Sequence, residues 1–200
     1  MKNSSASSSE GASTFTKTLL SLVTKIPNTA EPESPDPHER ANAIARSAAR
    51  KAAAISGTLA LPPGPFGFAT ILPDLVAIWH VQRLMVADIA AAFGKTAFLE
   101  KETMMYCLFK HGGAALMRDV VSRVGERFIV QRASLKMIQL VLQKIGVRVT
   151  QRAIGSSVVK WMPIIGAVGV GAYAYYDTAK VAANAIELFS SKLTVEDEIG

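Results

Sequence analysis

The chain has 200 residues, half of them hydrophobic, with a mean hydropathy of +0.25. That suffices for one well-filled core plus some extra chain, without the uninterrupted apolar runs of a multi-span membrane protein. The single cysteine, Cys107, excludes an intrachain disulfide and a cysteine-built metal site, while the net charge of +6 favours anionic partners such as nucleic acid or acidic lipid.

Aromatic residues are few (7%) and alanine is abundant, so the composition predicts helices packed through small side chains. The start of the chain does not read as a secretory signal, because Lys2 precedes a serine-rich stretch where an apolar run would stand. A cytoplasmic location is expected.

Residues 1–14 are serine-rich and predict a disordered tail. Phe15, Leu19, Leu22, Val23 and Ile26 then recur at near-helical spacing, with Lys17 and Lys25 among them. They predict a short amphipathic helix over 15–26, either docked on the domain or free to act as a membrane-surface anchor. Pro27, Pro32, Pro35 and Pro37, with Glu31, Glu33 and Asp36, read as an acidic linker, which puts a boundary at residue 38. A helical domain is expected over 39–190 and an acidic tail over 191–200.

From Glu39, the residues Ala41, Ile44, Ala45, Ala48, Ala52 and Ile55 make a small-residue helical stripe beside Arg40, Arg46, Arg50 and Lys51. Pro62, Pro63, Gly64 and Pro65 stop it. No charge occurs from Ala52 to Pro73, 22 residues that would span a bilayer by length. Their prolines and glycines fit a tight apolar turn or a re-entrant dip better than a lipid-exposed span. Pro73 suits the first position of a new helix running to about Phe93, with Gly94 as its C-cap. Leu75, Ile78, Trp79, Gln82, Met85, Val86, Ile89 and Phe93 trace its apolar face.

A helix over 101–110 is expected to break at Gly112 and Gly113, with further helices over 114–126 and 128–145. Pro163 should open the final helix, whose segment 161–176 is uncharged and carries Gly166, Gly169 and Gly171. Such small residues allow close helix approach, and the two apolar segments, 57–72 and 161–176, are expected to pack together. No strand is expected. The fold class is therefore all-α: a single multi-helix bundle with two Pro/Gly-rich apolar segments and a disordered N-terminal tail.

Two stretches carry a resemblance. One contains Leu72-Pro73-Asp74, Gln82-Arg83, Ile89-Ala90 and Gly94. The other contains Pro163-Ile164-Ile165-Gly166-Ala167. Together they resemble the EcsC family, and more distantly the DUF697-type helical domains, over roughly residues 40–190. Here Asp74 directly follows Pro73, and Gln82 and Arg83 are adjacent, both departures from the family pattern. The resemblance implies a helical bacterial protein of membrane- or transport-linked setting, with no catalytic residues to carry over.

Asp74, His80, Arg83 and Asp177 are the polar residues that stand out in apolar surroundings. Asp74 suits a helix N-terminus, and Arg83 could pair with Asp177 if the apolar segments pack, fixing helix register. His38, His80 and His111 are isolated and lack metal-ligand spacing, so no metal is expected. The glycines at 166, 169 and 171 follow no predicted strand, so no dinucleotide cofactor is expected either. Cys107 reads as a buried small hydrophobe.

Residues 101–160 hold eleven Lys/Arg against three Asp/Glu. Arg132 with Lys136, and Lys144 with Arg148 and Arg152, fall at i,i+4 and predict a basic helix edge. No nucleic-acid motif accompanies them and few aromatics interleave, so acidic lipid suits the edge better. The first functional reading is a non-enzymatic protein at the cytoplasmic face of the membrane, binding anionic lipid or a membrane protein. The second is a soluble adaptor or effector whose N-terminal tail recruits a protein partner. The third is an enzyme with a polar pocket around Asp74, His80, Arg83 and Asp177.

Overall fold

The computed structural model describes residues 17–59, 67–118, 120–144 and 163–196, and side chains there except those of 58–59, 67–75, 112–116 and 163–168. The elements in chain order are α1 (residues 17–24), α2 (Pro37–Leu59), α3 (Gly67–Ala92), a 3-10 turn (Thr96–Phe98), α4 (Lys101–Met117), β1 (Val121–Val124), β2 (Arg127–Gln131), α5 (residues 135–144), α6 (Pro163–Ser190) and β3 (Lys192–Glu196). The molecule is mostly helical, as expected, and adds a small three-stranded sheet that was not expected.

Local chemistry sets the helix ends. Asp36 caps α2 by accepting the Glu39 N–H at 3.1 Å, and Pro37 follows at the first helical position, where its missing N–H costs nothing. Gly94 ends α3 at φ 64°. The Lys95 N–H reaches the Ala90 carbonyl at 2.8 Å and the Gly94 N–H reaches that of Ala91 at 2.8 Å, the paired bonds of a Schellman motif. Glu100 and Thr103 form a reciprocal capping box at the start of α4.

Two helix boundaries differ from expectation. α3 begins at Gly67, so Pro73 lies inside the helix, where it removes one i→i−4 bond. α4 continues through Gly112 and Gly113 to Met117. Each glycine costs about 1 kcal/mol in a helix interior, but Cys107, Leu108 and Phe109 before the pair and Met117 after it are all buried in one core. Tertiary packing overrides the local penalty.

α2 runs antiparallel to α3 and α6. Ala52 packs with Ile78 and Ala174. Gly171 backs onto α2 so closely that a Cβ there would meet the Ala53 carbonyl oxygen at 3.1 Å and the Gly57 Cα at 3.8 Å. The apolar segments around residues 57 and 171 therefore do approach each other. α4 lies against the other side of α6, with the Asn184 amide donating to the Cys107 carbonyl at 3.2 Å.

The sheet occupies stretches expected to be helix or tail. β1 and β2 form an antiparallel hairpin in which Val124 pairs with Arg127. Its two-residue loop starts with Gly125 at φ 62°, and Glu126 keeps a negative φ, the pattern of a type II′ turn. Phe128 and Val130 alternate inward with Ile129 half-buried between them. β3 pairs with β2 in parallel, Phe128 opposite Leu193 and Val130 opposite Val195. Residues 192–196 are thus a core-packed strand, while the acidic residues after Glu196 lie outside the described part.

α1 is docked. Leu19, Leu22 and Val23 are buried in the same core as α3, α4, α6 and β2. The linker is also seated: Thr29 donates to Asp88 at 2.5 Å, the Ser34 N–H reaches the Ala92 carbonyl at 3.1 Å, and His38 stacks edge-on against Phe93. The expected boundary at residue 38 is therefore not a packing boundary; residues 1–16 lie outside the described residues.

Candidate functional site

α3, α4 and α6 meet in a polar cluster set in apolar walls. The Asp177 carboxylate accepts the Gln82 side-chain amide at 2.8 Å and His111 Nε2 at 2.8 Å. The same Gln82 amide reaches Thr178 Oγ1 at 3.2 Å. Gln82 and Thr178 are fully buried, and the Gln82 side-chain oxygen Oε1 has no hydrogen-bond partner among the described residues. A neutral donor to a carboxylate is worth roughly 1.5–3 kcal/mol, so Asp177 fixes three helices to one another.

This arrangement corrects the sequence reading. Arg83 does not pair with Asp177. Its guanidinium donates to the Leu22 carbonyl at 3.4 Å, one of the acceptors left open at the C-terminus of α1. Burial lowers the Arg83 pKa, and its Nε is unpartnered. The helical turn explains the substitution of partners: Gln82 lies on the core stripe with Ile78 and Met85, and Arg83 lies about 100° round toward α1. His80 is exposed and takes no part. Asp74 lies on the α3 backbone, with its side chain outside the described residues. His111, set aside as isolated, joins the cluster. A polar Gln82 within an otherwise apolar stripe was the signal available in the sequence.

Of the groups expected to form an enzymatic pocket, neither His80 nor Arg83 bonds Asp177 among the described residues. Cys107 sits one turn before His111 on α4, a spacing that invites a thiol–imidazole reading. Its side chain is fully buried, and burial pushes the thiol far above its ordinary range, the reverse of an activated nucleophile. Among the described residues no three His, Cys, Asp or Glu side chains group as metal ligands.

A second charged cluster sits further along α6. Glu187 accepts Lys110 Nζ at 2.8 Å and Arg123 at 2.6 Å. Burial opposes the Lys110 charge, yet the bonds to Glu187 and Tyr106 outweigh it and raise its pKa. These two basic residues of the middle segment are therefore spent inside the fold.

Arg132 does not belong to the basic helix edge expected over 132–152. Arg132 lies between β2 and α5, not on the helix with Lys136, and reaches Glu100 at 3.5 Å. Ser134 caps α5 through the Met137 N–H at 3.2 Å, which places the helix start after Arg132. Lys136 and Lys144 are exposed on α5. Arg148 and Arg152 lie outside the described residues.

What the geometry gathers, among the described residues, is a charge-poor end of the bundle, with Asp74 the one charged residue in its helix turns. The C-terminal turns of α2, the N-terminal turns of α3 and the N-terminal half of α6 come to one end of the bundle, because α2 is antiparallel to the other two. No described helix is long and apolar enough to cross a membrane. Near this end α6 exposes Tyr173 at 66%, Tyr175 at 38% and Tyr176 at 69%, and Lys180 lies over the Tyr176 ring at 6.0 Å.

Compared with family models, with curated proteins and with solved structures, the chain matches none.

Proposed function

We propose that this is an EcsC-like, non-enzymatic helical protein that acts at the cytoplasmic face of a membrane, where it binds anionic lipid or a membrane partner. The observation that supports this most is the convergence of three charge-poor helix ends beside exposed tyrosines. Tyrosine prefers the membrane–water boundary, where its ring is apolar and its hydroxyl wet. An amphipathic surface of this kind binds by shallow burial at the headgroup boundary and requires no spanning helix. The net charge of +6 adds attraction to an anionic leaflet.

The adaptor reading loses its main support, because the amphipathic stretch expected to recruit a partner packs Leu19, Leu22 and Val23 into the core. The membrane reading is tested by flotation of the full-length protein with vesicles. Co-flotation with phosphatidylcholine vesicles containing phosphatidylglycerol, weakened by salt, is expected. A protein that stays at the bottom of the gradient with every vesicle composition sinks the proposal.

A further inference from the structure

The α2–α6 face offers cations that have no acidic partner among the described residues. Arg46 and Arg50 lie one turn apart on α2, both exposed, and among the described residues neither has an acidic partner. Between α2 and α6 runs a groove of about 450 Å³, lined by Ala45, Arg46 and Ala49 on one side and Tyr175 and Ala179 on the other, with Glu187, already bound by Lys110 and Arg123, at its far end. The outward side of α6 continues this surface: Gly169, Ala172, Tyr173, Tyr176 and Lys180 recur at helical spacing and are all exposed.

We infer that this face, and not the basic segment around α5, is where the protein meets an anionic bilayer, with Arg46, Arg50 and Lys180 on lipid phosphates and Tyr173 and Tyr176 at the headgroup boundary. The inference rests on the membrane reading above and gives it a site. Three features select lipid. The arginines flank aromatic and apolar surface, so phosphate contact and shallow burial occur together. Along α6 the face runs on into Ala172 and Gly169, where the described surface carries no charged side chain for a polyanionic strand to follow. Among the described residues of the middle segment, Lys110 and Arg123 are paired with Glu187, Arg132 with Glu100 and Lys101 with Glu102.

The test is quantitative vesicle binding by the full-length chain, with phosphatidylcholine vesicles with and without phosphatidylglycerol as the probe. R46Q/R50Q removes two phosphate contacts and is expected to weaken binding to the anionic vesicles by about 30-fold. Y173S/Y176S is expected to weaken binding to vesicles at high salt as well, where charge is screened. K136Q/K144Q on α5 is expected to bind like the parent protein. All substituted side chains are exposed, and circular dichroism checks that each variant is folded. Parent protein that floats while R46Q/R50Q floats equally well overturns this site and leaves the membrane reading standing. Parent protein that ignores anionic vesicles overturns both. Saturable binding of a single-stranded oligonucleotide that R46Q/R50Q abolishes, without vesicle binding, assigns the face to nucleic acid instead.

Discussion

Gly94 turns the chain out of α3 with a left-handed φ of 64°, and the linker closes over it: a Cβ there would stand 2.6 Å from the Glu33 carboxyl. The left-handed φ strains any other residue, and the contact adds little, because the Glu33 carboxyl is the far end of an exposed side chain that can swing aside. Gly94→Ala is expected to destabilise the protein by about 1–3 kcal/mol, read as a lower urea midpoint. Glu33→Ala in the same chain should recover little of this; full recovery would mean that φ contributes nothing. The glycine itself was legible, since it follows an apolar period and ends it. The carboxylate lying against it was not, because Glu33 reaches Gly94 only once the linker is seated. The same limit governs Asp177. That it needed a partner could be read from its apolar surroundings, but whether Gln82 or Arg83 supplied the donor depended on a 100° rotation of α3 relative to α6. Glu102 is a third case: its side chain is 1% exposed, and it accepts the Ala133 N–H at 2.8 Å, tying the start of α4 to the segment after β2. Nothing in its own neighbourhood of the sequence announces that contact.

Among the elements, the helices with a long apolar period were readable and the short strands were not. α6 declared its start through Pro163, whereas Asp36 and Pro37, which read as linker, cap and open α2. The hairpin at 121–131 does alternate, with Gly125 at its turn, but apart from Arg127 its two strands fall inside stretches that read as helices over 114–126 and 128–145. β3 is harder still. A parallel partner must arrive by a crossover, and here α5 and α6 both intervene between β2 and β3, so no local signal marks Lys192–Glu196 as the third strand. The close approach of α2 and α6 at Gly171 can be tested on two glycines of one helix. Gly171 has the Ala53 carbonyl at 3.1 Å from a would-be Cβ, whereas Gly169 faces open space with nothing within 4 Å. Gly171→Val should push the helices apart and cost about 1–3 kcal/mol. Gly169→Ala should raise stability by about 0.5–1 kcal/mol, since it only restricts the unfolded chain and improves helix propensity. Thermal melts of the two variants moving in the same direction would refute this packing.

For the whole molecule, both ends of the described chain belong to the core that the middle builds. α1 contributes Leu19, Leu22 and Val23, while β3 packs Leu193 and Val195 against the same cluster. The Lys95 ammonium, its pKa lowered by burial, donates to the Ser191 carbonyl at 2.6 Å and ties the α3 end to the α6–β3 junction. A structure joined in this way should unfold as one unit rather than shed its ends first. Deleting residues 192–200 removes two partly buried aliphatic side chains and the parallel partner of β2. The expected loss is about 2–3 kcal/mol, from roughly half the value of full burial for each side chain. The signature matters more than the size: far-UV circular dichroism and tryptophan fluorescence, with Trp79 buried against Phe109, should shift together to one lower midpoint. If the truncated chain keeps its midpoint, or if the two probes separate in the full-length protein, β3 and α1 are appendages and the single core does not exist.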